Sequence, residues 1–180
     1  KFIGIELNVY GIEKIPEGRY TFAGNHPMGG IDGMSAGFEV YKKFPERNIM
    51  FLSNDILSTI VNLHPLFVPV NKVGKMKQDR SLPQRIDEVY RSDRQMVIFP
   101  AGKCARRQNG KITEQKWSKS FLQKSIETQR DIVPLYFEGQ NSNFFYNLAN
   151  IRSFFGIKTN IEMLFLVDEM FKQRGKTFNR

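Results

Sequence analysis

The chain has 180 residues, 41% of them hydrophobic and 25% charged, a balance that excludes a disordered segment and allows one sizeable core. Its 27 Lys and Arg against 18 Asp and Glu give a net charge of +9, which favours an anionic partner: nucleic acid, lipid headgroups or an acidic carrier protein. One cysteine, Cys104, excludes an internal disulfide, and no apolar run approaches the roughly 18 residues of a spanning helix.

In chain order, Ile3 to Tyr10 and a second strand-like piece ending at Ile15 meet at Gly11, and Pro16-Glu-Gly18 turns into a buried strand, Tyr20 to Ala23. Met34 to Phe44 reads as a helix and Ile49 to Leu52 as a compact strand. Ile56 to Leu63 fits a short helix capped by Asn54 or Asp55 and stopped at His64-Pro65, which makes His64 a turn residue rather than a ligand. Leu66 to Lys72 is a strand whose Pro69 implies an edge position. Gln78 to Arg94 has helical spacing with Pro83 near its start, and Gln95 to Phe99 is a buried strand. A basic, glycine-bounded loop follows from Pro100 to Gly110, then a helix from Trp117 to Arg130 and strands at 131–137 and 161–167. Between those two strands, Phe144, Leu148, Ile151 and Phe155 share a helical face, suited to core packing, a membrane interface or the wall of an apolar tunnel. Alternating strands and helices predict a single α/β domain over 1–180 with a central mixed, mostly parallel sheet flanked by helices. The chain opens at Lys1 inside a strand and closes on the approach to another, so both ends read as truncated.

The stretch from Thr21 to Gly33 joins one of the chain's two histidines to an aspartate through a glycine-rich turn. Fully extended, the step from His26 to Asp32 spans about 20 Å, and a helix leaves the two side chains on different faces. Only a folded-back turn brings them together, and Pro27, Gly29 and Gly30 supply the backbone angles for one. Asp32 then fixes one ring nitrogen of His26 and leaves the other as a general base, two members of a triad whose nucleophile is the substrate's own hydroxyl or amine. The alternative is that Asp32 caps the following helix and His26 carries no chemistry. With two histidines, one cysteine and no HExxH, no metal site is expected.

Asn25-His26 with Asp32, Val68-Pro-Val-Asn-Lys72, Phe99-Pro-Ala-Gly102 with Arg106 and Arg107, and Val133-Pro-Leu135 stand in the order of the four sequence blocks of the glycerolipid acyltransferases. Over nearly its whole length the chain resembles the lysophospholipid acyltransferase superfamily, most of all its hemolysin-like bacterial branch. Five residues separate His26 from Asp32 where four are usual, Lys72 stands where many members have arginine, and Ala101 replaces the glutamate associated with glycerol-phosphate acceptors.

The resemblance implies a glycerol-3-phosphate acyltransferase-like layered fold and transfer of a fatty acyl group from an acyl carrier protein or coenzyme A thioester to an acceptor hydroxyl or amine in membrane lipid synthesis. His26 and Asp32 are the expected catalytic pair. Asn25, Lys72, Gly102, Arg106 and Arg107 are the expected substrate-binding residues, with Lys103 behind the two arginines, and Cys104 is read as structural. Backbone N–H groups near Gly102 or the His26 turn are expected to hold the oxyanion. No cofactor beyond the thioester co-substrate is expected, and the expected location is peripheral, at the cytoplasmic face of a membrane. A lysophospholipid-type acceptor leads. N-acylation of an amino acid such as glycine or ornithine, and a non-catalytic basic module for lipid or nucleic acid, are the alternatives; without interleaved aromatics in its basic loops, nucleic acid is not the expected partner.

Overall fold

The computed structural model describes residues 4–53, 65–69 and 81–179. Its centre is a five-stranded sheet in the order β4 (Phe67–Pro69), β3 (Ile49–Ser53), β5 (Gln95–Ile98), β2 (Tyr20–Gly24) and β8 (Asp131–Leu135), with every neighbouring pair parallel. β2 and β5 are buried at every position, as expected of short apolar runs covered on both faces. Their alternating side chains divide the core. Phe22 and Val97 face α1 (Gly30–Lys43) and pack with Ala36, Val40 and Phe44. Met50 and Met96 face α2 (Leu82–Arg91) through Leu82 and Tyr90, while Ala23 and Ile98 meet Phe121 of α3 (Ser120–Glu127). Pro69 and Pro134 lie in the two edge strands, where a missing N–H breaks no interior ladder.

Arg130, 3% exposed, ties the end of α2 to the sheet. Its guanidinium donates to the carbonyls of Tyr90 (2.9 Å), Ser92 (2.6 Å), Tyr20 (3.1 Å) and Arg94 (2.6 Å), a cationic cap on carbonyls that a helix end leaves unpaired. Burial pushes its pKa down to about 10, so it stays charged at neutral pH. Nearby Tyr90 is 1% exposed and its hydroxyl has no hydrogen-bond partner among the described residues; burial pushes that phenol up to about 12. Tyr90→Phe removes a desolvated hydroxyl without removing ring packing. Thermal denaturation is expected to show stability unchanged or raised by up to about 1 kcal/mol, whereas a loss larger than that means the hydroxyl is bonded.

Smaller pieces surround this layer. β1 (Glu6–Asn8) pairs in parallel with β9 (Thr177–Asn179), joining the two ends of the chain. β6 (Arg106–Gln108) and β7 (Lys111–Thr113) form an antiparallel hairpin. α4 (Asn143–Phe154) and α5 (Leu166–Phe171) are linked through a 3-10 helix, Ile161–Phe165.

The α/β architecture with a mostly parallel central sheet flanked by helices is as expected, and among the described residues the antiparallel pair lies in the separate hairpin. Several expected elements differ. Within the expected 100–110 loop, Asn109 and Gly110 take φ of 49° and 77°, the left-handed pair of a tight hairpin turn. Ile12–Lys14 is a 3-10 helix rather than a strand. The expected strand at 161–167 is helical, since a short apolar run fits either form by periodicity alone. α3 starts at Ser120, three residues after the expected Trp117. The Ile56–Leu63 helix, its caps, His64 and the stretch from Val70 through Lys72 to Arg80 lie outside the described residues.

Candidate active site

β2 ends between β5 and β8, and its continuation carries Asn25 and His26. Open parallel sheets collect ligands at the carboxyl ends of their strands. α1 begins at Gly30, four residues before the expected start, because Asp32 occupies the third position of its first turn. One oxygen, Asp32 Oδ2, accepts the N–H of Met28 at 2.7 Å and of Gly29 at 2.9 Å. Gly29 takes φ 83°, which folds the turn back.

The same Oδ2 lies 3.2 Å from His26 Nδ1. Capping and pairing, the two alternatives read from the sequence, are therefore both present on one atom. Asp32 is fully buried and the His26 side chain is 18% exposed. At 3.2 Å the carboxylate is placed to pair with a protonated imidazole, but the ring nitrogen is not aligned for a hydrogen bond; such bonds commonly align only in the complex with substrate. With Nδ1 toward the carboxylate, Nε2 is the nitrogen left for chemistry.

The long connection from β5 to α3 holds His26 from three sides. Its ring stacks on Phe99, centroids 4.1 Å apart at 21°. Its carbonyl accepts the Ala105 N–H at 2.8 Å. Its own N–H reaches both carboxylate oxygens of Glu114 at 3.2 Å. Glu114 also accepts from the Trp117 indole, and burial raises its carboxyl above the usual range. Sequence reasoning passed over Glu114. The signal was the Asn109-Gly110 dipeptide, whose tight hairpin returns the chain toward β2.

The remaining candidates are dispersed. Asn25 gives its amide to the protein, its side-chain nitrogen donating to Phe137 O at 2.8 Å and its oxygen accepting from Phe137 N at 2.7 Å, which extends the β2–β8 pairing. Gly102 takes φ 66° and its N–H donates to Phe99 O at 2.8 Å, closing a turn; with the Met28 and Gly29 N–H groups held by Asp32, all three donors are bonded within the protein.

Arg106 and Arg107 point to opposite faces of their strand. Arg106 is buried, donates to the Cys104 and Ala105 carbonyls, and pairs with fully buried Glu162 at 2.8 Å. Arg107 lies across α4, bonded to Asn143 and Asn147, with its guanidinium 5.4 Å from the Tyr146 ring centre. Lys103 is exposed. Cys104 is buried, which pushes its thiol up and leaves it unreactive. Lys72 lies outside the described residues. Among the described residues, no group of three or more His, Cys, Asp or Glu is arranged to hold a metal ion.

A cavity of about 180 Å³ opens on the α1 side of the sheet, lined by Phe22, Ala36, Val40, Val133, Leu135 and Phe137 with others. His26 is not in its wall. The link between them is aromatic, because the Phe137 ring lies 5.9 Å from Phe99, which stacks on His26. α4, one expected wall of a lipid tunnel, does not line it.

The sequence was compared with known proteins. A curated lyso-glycine lipid O-acyltransferase of Bacteroides thetaiotaomicron is 49% identical over 179 residues, 99% of this chain and 65% of that protein. A protein of the same name from Phocaeicola vulgatus is 48% identical over 179 residues, 99% of this chain and 63% of its own length. The chain thus spans a little under two thirds of the length of these curated relatives. No solved structure matches it. The acyltransferase family model matches residues 1–180, which takes in the His26–Asp32 turn, the Phe99 block and both ends of the sheet: the chain belongs to the acyltransferase family.

Proposed function

We propose that this protein transfers a fatty acyl group from a thioester to the hydroxyl of a lyso-glycine-type lipid. The observation that carries the chemistry is the His26–Asp32 pair at the carboxyl end of β2, with His26 partly exposed. The acceptor is taken from the names of two relatives near 49% identity, and Ala101 in place of a carboxylate agrees with an acceptor other than glycerol phosphate.

In the proposed step, His26 Nε2 removes the proton from the acceptor hydroxyl as its oxygen attacks the thioester carbonyl carbon. The C–S bond then breaks, and the imidazolium returns the proton to the leaving sulfur, so that one ester and one thiol are formed. The Asp32 carboxylate stabilises the transient imidazolium across 3.2 Å. Lys103, Lys111, Lys116 and Lys119 are all exposed on the excursion that clamps His26. These cations suit the phosphates of a phosphopantetheine donor, whether on coenzyme A or on a carrier protein. The apolar cavity beside Phe137 is below the roughly 300 Å³ of a whole-ligand pocket and takes part of an acyl chain. No described helix is long and apolar enough to cross a membrane, and we place the protein at a membrane surface.

The test offers acyl-coenzyme A and acyl carrier protein thioesters in turn with lyso-glycine lipid, lysophospholipids, glycine and ornithine, and identifies products by mass. An ester on lyso-glycine lipid is the expected product. An amide on a free amino acid, or acylation confined to lysophospholipids, would overturn the acceptor assignment.

Glu114 supplies a further expectation. Glu114→Ala removes the acceptor for the His26 N–H and is expected to lower kcat about tenfold, the scale of a misplaced base, with KM nearly unchanged. Glu114→Gln keeps an acceptor oxygen and should restore most of the rate in the same steady-state assay. Equal loss in both variants would mean that charge, not positioning, is what Glu114 provides.

A further inference from the structure

α5 covers the His26 turn on its inner side, and α4, the 3-10 turn and α5 leave large apolar side chains exposed. Inside, a Cβ on Gly29 would meet the Leu166 side chain at 3.0 Å and one on Gly30 would meet Met170 Sδ at 3.2 Å, so α5 lies directly on the turn that holds the catalytic pair. Outside, Phe154 is 85% exposed, Phe155 69%, Leu164 79%, Val167 60% and Phe171 51%. Single exposed apolar residues are ordinary on a protein surface. Five of this size fall between positions 154 and 171, on segments packed against one another through the Arg152–Glu162 pair, and the Phe154 and Phe155 rings touch with centres 5.3 Å apart; such a concentration marks an interaction surface.

The charges around the patch are one-sided. Among residues 143–179 the exposed charged side chains are Lys158, Lys172, Arg174 and Lys176 against Asp168 alone; the other two acids, Glu162 and Glu169, are buried. Lys172 Nζ lies 5.3 Å from the centre of the Phe144 ring and the Arg174 guanidinium 5.4 Å from that of Phe171. Aromatic bodies with cationic tips at their edge match an interface whose interior is apolar and whose surface is anionic.

We propose that the outer face of α4, the 3-10 turn and α5 docks on an anionic lipid bilayer, with Phe154, Phe155, Leu164 and Val167 entering the headgroup region and Lys158, Arg174 and Lys176 meeting lipid phosphates, while Lys172 stays paired with Asp168 and Glu169. The proposal rests on the lipid acyltransferase reading above, which needs a route for an acceptor that lives in a membrane.

The experiment is sedimentation of the protein with vesicles of phosphatidylglycerol and phosphatidylcholine in equal parts, and with phosphatidylcholine alone. Binding is expected to favour the anionic vesicles and to weaken with salt. The double variant Phe154→Ser/Phe155→Ser is expected to bind them at least about tenfold more weakly, as is Leu164→Ser/Val167→Ser, which keeps the question open to refutation if the first pair fails to fold. Phe38→Ser, on exposed α1, should bind as wild type. Both double variants should still acylate a water-soluble short-chain acceptor. Undiminished vesicle binding in both, or no binding by the wild type, would overturn the docking face whatever the activity. Loss of a dimer in place of vesicle binding would assign the face to a second copy and also overturn it. If no acceptor is acylated by any form but vesicle binding still depends on Phe154 and Phe155, the docking face stands and the acyltransferase step falls.

Discussion

His26→Ala is expected to lower kcat for acyl transfer by about 10²- to 10⁴-fold, the usual contribution of a positioned general base. The ring touches solvent at 18% of its surface and stacks on one face of Phe99, so its removal costs little packing, and the melting temperature should stay within a few degrees of wild type. Asp32 needs two substitutions to separate its two roles. Asp32→Asn keeps an oxygen for the Met28 and Gly29 N–H groups but removes the charge beside Nδ1; kcat should fall by roughly 10- to 100-fold, short of the full general-base contribution, with the fold intact. Asp32→Ala also deletes the helix cap, a further cost of about 1–2 kcal/mol in stability. Retention of more than a tenth of wild-type kcat by His26→Ala, at unchanged melting temperature, would remove His26 from the mechanism and with it the proposed acyl transfer step.

What the sequence disclosed and what it concealed follow from the range of each interaction. The strands at 20–24 and 95–98 were legible because a parallel sheet buries short apolar runs on both faces, those at 49–53 and 131–135 as compact apolar runs, and Pro69 marked an edge by its missing N–H. The His26–Asp32 turn was legible because its partners are close in sequence and Gly29 can take the positive φ that folds the chain back. Glu114 was not, because its partner is 88 positions away, and only the hairpin at Asn109-Gly110 brings it back. Arg106 and Arg107 look alike as neighbours in sequence, yet neighbours in a strand face opposite ways. One met a glutamate in a run that reads as apolar, and the other met Asn143 and Asn147, one helical turn apart. A charged residue's fate depends on its partner, and composition does not name the partner.

That partner predicts the second large effect. Glu162→Ala is expected to destabilise the protein by about 3–5 kcal/mol, since removing one member of a buried ion pair strands the other. Glu162 is fully buried, with Oε1 2.8 Å from Arg106 Nη2 and Oε2 2.9 Å from Arg152 Nε, so its loss leaves two largely buried guanidinium groups without their anion. In a chain of this size each kcal/mol moves the melting temperature by about 2–4 °C, so a fall of roughly 10 °C is expected, read by thermal or urea denaturation. Arg106→Met also breaks the pair and loses the cation held 5.2 Å from the Phe145 ring centre. Its cost should be strongly non-additive with that of Glu162→Ala in a double-mutant cycle, because both remove the same contact. Arg106 holds the β6 strand against α4 and the 3-10 turn through Glu162, and KM for the thioester is expected to change little in Arg106→Met while stability falls. A variant with wild-type stability and a raised KM would return Arg106 to the substrate site and require Glu162 to find another partner.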